Sequence, residues 1–224
     1  MKIINAGKTT VTVFCTLALF IYGFVVMPDV NAQQQRSAGK VHEKSLSVTS
    51  IGSGIPGGSF ANRTEAMTVI QNKGRYIVLD CGYASLLSLS KFNYPLKNID
   101  MIMFTHLHAD HSMDFMSLML SRWASGGREL ELIGPPRTGD YYNFFKTFYR
   151  DDVIYRAILY AGTVKGALSG VNVREITGNK QFTVGNISIE SAEMVHTMYD
   201  LAYKFVIDGT TIVVSGDTSY TENL

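Results

Sequence analysis

The sequence predicts an α/β fold, and three observations support this prediction. Short runs of apolar and β-branched residues recur along the chain, as in residues 75–79 and 99–104, and such runs are typical of buried strands. Apolar residues with near-helical spacing lie between them, for example in the Met- and Leu-rich stretch 113–122. Turn residues separate the elements, and Asn72-Lys73-Gly74 is typical of a β-hairpin.

The composition indicates an ordinary globular domain. The chain has 224 residues, of which 46% are hydrophobic and 17% are charged, which is enough for one domain with an apolar core. The formal net charge of +1 offers no electrostatic attraction for a polyanion. We therefore expect no nucleic acid partner.

The first 45 residues differ from the rest of the chain. Lys2 and Lys8 precede an apolar run, and small residues around Ala32 form a cleavage site, so residues 1–32 are predicted to be a secretory signal peptide. An uncleaved anchor is the alternative, because the run approaches the length of a membrane span. Residues 33–45 are polar and form a predicted linker, in which His42 has no expected role. The product would be periplasmic or secreted, and only the signal segment would contact a membrane.

Four strands are predicted in the first part of the domain, which extends over residues 46–224. They cover residues 46–51, 66–71, 75–79 and 99–104. A Gly-rich loop, residues 52–58, follows the first strand and is expected to form a tight turn at the edge of a site. Asp80, after the third strand, either caps a helix beginning near Ala84 or accepts a hydrogen bond from a metal-binding histidine.

The second part is predicted to contain two helices and six more strands. The helices cover residues 113–122 and 140–149, and the aromatic rings of the latter either pack in the core or wall a substrate pocket. The strands cover residues 130–133, 171–176, 181–184, 187–193, 201–207 and 210–215. The mature chain would hold a single thiol, Cys81, which is expected to be a small buried residue.

A loop rich in histidine follows the fourth strand. His106, His108, Asp110 and His111 lie within six positions, and imidazole and carboxylate groups suit zinc, iron and manganese. Packing alone seldom explains such a cluster, because each buried polar ring would need its own partner. His196 and Asp217 follow two later strands. We therefore predict a two-metal hydrolytic site.

Each ion has a predicted set of ligands. His106 and His108, two positions apart, face one ion together with His196. Asp110 and His111 face the second ion, and the carboxylate of Asp217 bridges both. Two ions about 3.5–4 Å apart hold a hydroxide and lower the pKa of its parent water. Asp110 is also the predicted catalytic residue, which orients this nucleophile and takes its proton.

The segment His106–His111 resembles the HxHxDH signature of the metallo-β-lactamase superfamily. The wider pattern, through Ser215-Gly216-Asp217-Thr218, is similar to the ribonuclease Z and arylsulfatase-like branch. The resemblance implies an αββα sandwich, usually two zinc ions, and the same six ligands. That branch uses a further histidine on a later strand or loop, and none follows His196 in this sequence. We therefore expect an incomplete second half and an exposed strand edge near residues 211–215.

The resemblance and the motif together predict an exported zinc-dependent hydrolase. Its substrate would be a small ester: a sulfate ester, a phosphodiester or a lactone. A non-catalytic or degraded metal-binding relative is one alternative, supported by the missing later histidine. A β-lactam hydrolase is another, but Asp217 would replace the cysteine expected in the common zinc β-lactamases.

Overall fold

A computed structural model describes residues 46–56 and 63–221. The predicted signal peptide, the predicted linker and the end of the Gly-rich loop lie outside the described residues. Within the described ranges, every helix is too short or too polar to cross a membrane.

The first layer is a six-stranded sheet with its strands in chain order. Its strands are β1 (Ser47–Gly52), β2 (Met67–Asn72), β3 (Arg75–Leu79), β4 (Ile99–Met103), β5 (Leu130–Gly134) and β6 (Val171–Glu175). β1 to β3 pair antiparallel, and β3 to β6 pair parallel. Asn72 pairs with Arg75, and Lys73 and Gly74 between them have positive φ, so the predicted hairpin is confirmed.

Helices cover one face of this sheet. They are α1 (Ser85–Lys91), α2 (Ala109–Ser112), α3 (Phe115–Ala124), α4 (Thr138–Phe148) and α5 (Arg150–Arg156), with a 3₁₀ turn (Leu96–Asn98) and a π-helical turn (Ala157–Ala161). Ile102 on β4 packs in the helix-side core, whereas its neighbours Met101 and Met103 pack in the core on the opposite face. The parallel strands are thus buried on both faces, which explains their continuous apolar sequences.

The second layer is a four-stranded antiparallel sheet in the order β10-β9-β8-β7. Its strands are β7 (Lys180–Val184), β8 (Ile187–Met194), β9 (Asp200–Ile207) and β10 (Thr210–Val214). Buried side chains such as Ile189, Tyr203 and Phe205 pack against Met103 and Ile133 of the first sheet. Among the described strands β10 pairs with β9 alone, so the expected strand edge lies there.

The predicted α/β class is confirmed, and the described layers follow the order helices, sheet, sheet. The predicted strands form within about two residues of their expected bounds. Helix α5 and the π-helical turn were not predicted from the sequence. In this segment Val153 and Ala157 are buried while Ile158 is exposed, so the helical face is too narrow to produce a clear period.

Candidate metal centre

Loops that follow three strands, β4 of the first sheet and β8 and β10 of the second, bring the predicted ligands together. The His-rich loop follows β4, His196 follows β8, and Asp217 follows β10. The backbone N–H of Leu201 donates to the carbonyl of Thr105 (3.0 Å), which joins β9 to the His-rich loop. Hydrogen bonds of this kind hold the loops in place before any ligand binds.

The Asp217 loop is held by two further contacts. Ser219 N–H donates to the Val195 carbonyl (2.9 Å), which joins this loop to the residue before His196. Gly216 has φ +65°, and a Cβ there would lie 2.6 Å from an oxygen of Asp200. The position therefore needs glycine, and the close approach brings Asp217 to the centre.

Three histidines form the first group of candidate ligands. One ring nitrogen each of His106, His108 and His196 lies within 4.8 Å of the others. His196 Nε2 is 3.1 Å from His108 Nδ1. Burial lowers the pKa of His108, and the neighbouring His106 and His196 lower it further. The neutral ring that results is the form that binds a metal ion.

The second group contains His106 again, with His111 and Asp217. His111 Nε2 lies 3.5 Å from Asp217 Oδ1 and 3.8 Å from Asp110 Oδ2. Burial lowers the pKa of His111, but the hydrogen bond and charge of Asp80, together with Asp217 and Asp110, raise it more, so the net shift is upward. The structure thus places all six predicted residues in one cluster, with Asp110 beside the second group.

Asp80 supports this cluster through three hydrogen bonds. Its carboxylate accepts hydrogen bonds from Thr105 N–H (2.8 Å), from Thr105 Oγ1 (2.9 Å) and from His111 Nδ1 (2.9 Å). Ala84, without a side-chain cap, precedes α1. Of the two roles left open by the sequence, Asp80 therefore accepts from a histidine and does not cap the helix.

The environment of His106 tests whether the cluster fits a metal ion. Thr105 Oγ1 gives its one proton to Asp80 and lies 3.1 Å from His106 Nδ1, so it must accept there. Nδ1 therefore carries the proton of the neutral ring, and Nε2 has a free lone pair. Nε2 is buried and has no hydrogen-bond partner among the described residues. A buried lone pair beside two further imidazoles suits a bound cation.

One residue of the site was not found from the sequence. Asp200 is fully buried at the start of β9, and its Oδ1 lies 3.3 Å from His106 Nδ1. The available signal was weak: an acidic residue stands directly before the apolar strand 201–207. An aspartate before a strand is normally a solvated turn residue, so pattern alone did not distinguish it.

A cavity of about 390 Å³ lies beside the His-rich loop and the segment that follows His196. It is lined by Leu107, Pro135, Pro136, Arg137, Asp140, Tyr141, Met198 and Tyr199. Leu107 lies between two of the candidate ligands, and Met198 is two residues after His196. Helix α4 contributes to both the cavity and the core, because Tyr141 lines the cavity whereas Tyr142 and Phe145 are buried in the core.

The fold has close counterparts among solved structures. The metallo-beta-lactamase fold protein YhfI from Bacillus subtilis matches with a TM-score of 0.59 and 21% identity, covering 79% of this chain and 64% of that one. Human tRNase Z, short form, matches with a TM-score of 0.57 and 20% identity, covering 76% and 68%. Ribonuclease Z of Mycobacterium avium (strain 104) is 28% identical over 179 residues, which are 77% of this chain and 63% of the relative.

Fold, motif and relatives define the class: the protein is a metallo-β-lactamase superfamily member of the ribonuclease Z-like branch, as its sequence motif predicts. Within that class, residues 46–224 match the family model described as Anti-Pycsar protein Apyc1, and the chain belongs to this family. It spans 61–63% of the length of the mycobacterial ribonuclease Z relatives that it matches.

One expectation from the sequence is wrong. We expected no nucleic acid, but the matched relatives are ribonucleases, and a matched structure is a tRNase. The expectation relied on the predicted export, on the lack of a basic patch in the sequence and on a net charge summed over the whole chain. Such a sum does not describe local charge, and a metal centre attracts a phosphodiester whatever the overall charge is.

Proposed function

We propose that the protein is an exported, zinc-dependent phosphodiesterase that hydrolyses a phosphodiester bond in this centre. The observation that carries the proposal is the pair of candidate ligand groups that share His106. The ribonuclease Z relatives favour a phosphodiester over a sulfate ester or a lactone.

Zinc fits the donor set. Three imidazole nitrogens, here from His106, His108 and His196, are a known ligand set of catalytic zinc sites. His111 and Asp217, with Asp110 beside them, would hold a second ion. When bound, the two ions would supply an activated water and polarise the phosphoryl group.

Asp110 is the proposed general base. Its side chain is largely buried at the first turn of α2, beside His111. The carboxylate can accept a hydrogen bond from the attacking water, orient it and take its proton. Substitution of Asp110 should therefore lower turnover more than substrate binding.

The cavity is the proposed site for the organic part of the ester. Leu107, Tyr141 and Met198 present mainly apolar surface beside the histidines. The Tyr141 hydroxyl is hydrogen-bonded to Ser112 Oγ (2.8 Å), which fixes the ring in place. An apolar or aromatic substituent would bury its surface there while the phosphate faces the cluster.

Export is supported by the sequence of residues 1–32. The two lysines, the apolar run and the small residues before Ala32 have the order of a secretory signal. Expression of the full chain in a Gram-negative host, followed by fractionation and mass analysis, tests this part. Periplasmic protein beginning at residue 33 is expected, and cytoplasmic protein beginning at Met1 would refute export.

The hydrolytic activity has a direct test. The purified protein is analysed for metal and assayed on bis(p-nitrophenyl) phosphate, p-nitrophenyl sulfate and an aryl lactone, before and after chelation. We expect about two zinc ions per chain and hydrolysis of the phosphodiester, lost on chelation and restored by zinc.

Matched variants strengthen this test. Asp110→Ala should lose at least about 100-fold in kcat, whereas the control Asp208→Asn, at an exposed ion pair with Lys73, should not change it. Zinc binding without any ester hydrolysis would favour the alternative, a non-catalytic metal-binding relative. Full activity after complete metal removal would refute the mechanism.

A further inference from the structure

Asp200 is an acidic residue in an unusual environment. Its side chain is fully buried, and neither carboxylate oxygen has a hydrogen-bond partner among the described residues. The backbone at Gly216 packs so closely against Oδ1 that a Cβ there would lie 2.6 Å away. An unpaired carboxylate in such a place is costly for folding.

The group that Asp200 faces is the ring of His106. Asp200 Oδ1 lies 3.3 Å from His106 Nδ1, the nitrogen that carries the proton because Thr105 Oγ1 must accept from it. The same N–H thus lies between a hydroxyl and a carboxylate. On the other side of the ring, the lone pair of Nε2 is buried without a partner.

We propose that Asp200 is a positioning residue for the metal centre, holding His106 as the Nδ1–H tautomer and making its Nε2 a stronger ligand. This inference rests on the proposed metal site. A carboxylate behind a ligating imidazole fixes the tautomer and raises the basicity of the ligand nitrogen. Zinc bound at Nε2 would draw electron density from the ring, and the buried carboxylate would then stabilise the charge on Nδ1–H.

Asp80 and Asp200 therefore act on different histidines. Asp80 accepts from His111 Nδ1 and from two groups of Thr105, so its bonding is complete without a metal ion. Asp200 lacks such partners among the described residues. A buried carboxyl group without partners destabilises the metal-free fold, and metal binding at His106 would offset that cost.

The two roles open to Asp200 differ in their effect on the metal-free protein. If Asp200 served the fold, Asp200→Asn would unfold more easily without zinc. If it positions His106, the chelated variant should be as stable as the wild type or more stable, while zinc affinity falls by about 10- to 100-fold. Asp200→Leu, which removes the acceptor as well as the charge, should lose more affinity than Asp200→Asn.

The experiment measures zinc affinity by competition with a chromophoric chelator and measures urea unfolding of the chelated proteins. Wild type, Asp200→Asn, Asp200→Leu and the exposed control Asp208→Asn are compared, and the Co²⁺ spectrum reports the geometry of the loaded site. A changed Co²⁺ spectrum and weaker zinc binding are expected for the two Asp200 variants alone. Unchanged zinc affinity with a lower urea midpoint would overturn the proposal.

A measurement on the wild-type protein needs no variant to fold. Imidazole ¹⁵N and ¹³C shifts of the chelated protein report the tautomer of His106, and we expect a proton on Nδ1 and none on Nε2. A proton on Nε2 in the neutral ring would overturn the proposal. A wild-type chain that binds no zinc would refute the proposed function. A comparison of the His106 tautomer in chelated wild type and chelated Asp200→Leu would then test the His106–Asp200 relation by itself, and an unchanged tautomer in the variant would overturn that relation.

Discussion

His196 Nε2 lies 3.1 Å from His108 Nδ1, although 88 positions separate the two residues in the chain. β8 and β4 belong to different sheets, and the loops that follow them meet at one edge of the sandwich. Two ring nitrogens at this distance can share one cation.

Removal of His196 tests the first ligand group. We expect His196→Ala to bind at most one zinc ion per chain and to lose more than about 100-fold in kcat/KM, because a direct ligand matters more than an outer partner. Metal analysis and the phosphodiester assay measure both effects. His42→Ala, in the predicted linker, is the matched histidine control. Two tightly bound zinc ions in His196→Ala would contradict the assignment.

Gly216 offers a test of how the Asp217 loop is held. Gly216→Ala should lower the free energy of unfolding by about 1–3 kcal/mol because φ is +65° and the new Cβ would meet Asp200 and Thr105. The variant should also bind zinc more weakly, since Asp217 is the next residue.

Gly209 is the matched control for Gly216. It has φ +81°, but nothing lies within 4 Å of an added Cβ. Gly209→Ala should therefore show the cost of the backbone alone, about 1 kcal/mol, with zinc binding unchanged. Urea unfolding and chelator competition measure both variants. Equal losses of stability and equal zinc affinities would show that the packing at Gly216 is unimportant.

Cys81 is a buried thiol whose reactivity toward alkylating reagents should be low in the folded protein. Full burial, followed by the charges of Asp80 and Asp114, raises the pKa of Cys81 well above 9.0. Because the thiolate is the reactive form, a raised pKa leaves less of it at pH 8 than an exposed cysteine has. Iodoacetamide at pH 8 should leave Cys81 unmodified in the folded protein and modify it in urea, as judged by peptide mass mapping. Rapid labelling of the native protein would contradict this burial.

Truncation of side chains that line the cavity should weaken substrate binding selectively. Leu107→Ala and Met198→Ala should each raise KM for bis(p-nitrophenyl) phosphate by about 10-fold with little change in kcat, because packing contacts bind substrate and transition state equally. The increase in KM should be smaller for methyl p-nitrophenyl phosphate, which has one aromatic ring fewer. Leu87→Ala removes an exposed leucine from α1 and serves as the control. An equal increase in KM for both substrates would show that neither residue contacts the second ring.

Local patterns predicted most of the secondary structure. The hairpin at Lys73-Gly74 and strand β3 form as expected, since turn residues and apolar runs act over a few neighbours. The segment Arg150–Arg156 was missed because it buries Val153 alone, so its helical period is weak. Nucleic acid was excluded wrongly because a whole-chain charge does not describe a site.

By itself, the sequence determined the α/β class, the His-rich loop and the family resemblance, because these depend on residue types at short spacing. The tertiary structure alone decided that Asp80 accepts from His111 and that Asp200 lies behind His106. It also decided the distance from His196 to His108. The residues in these pairs are far apart in the chain. Strand pairing within each sheet and packing between the two sheets bring them into contact, and no local sequence pattern predicts such contacts.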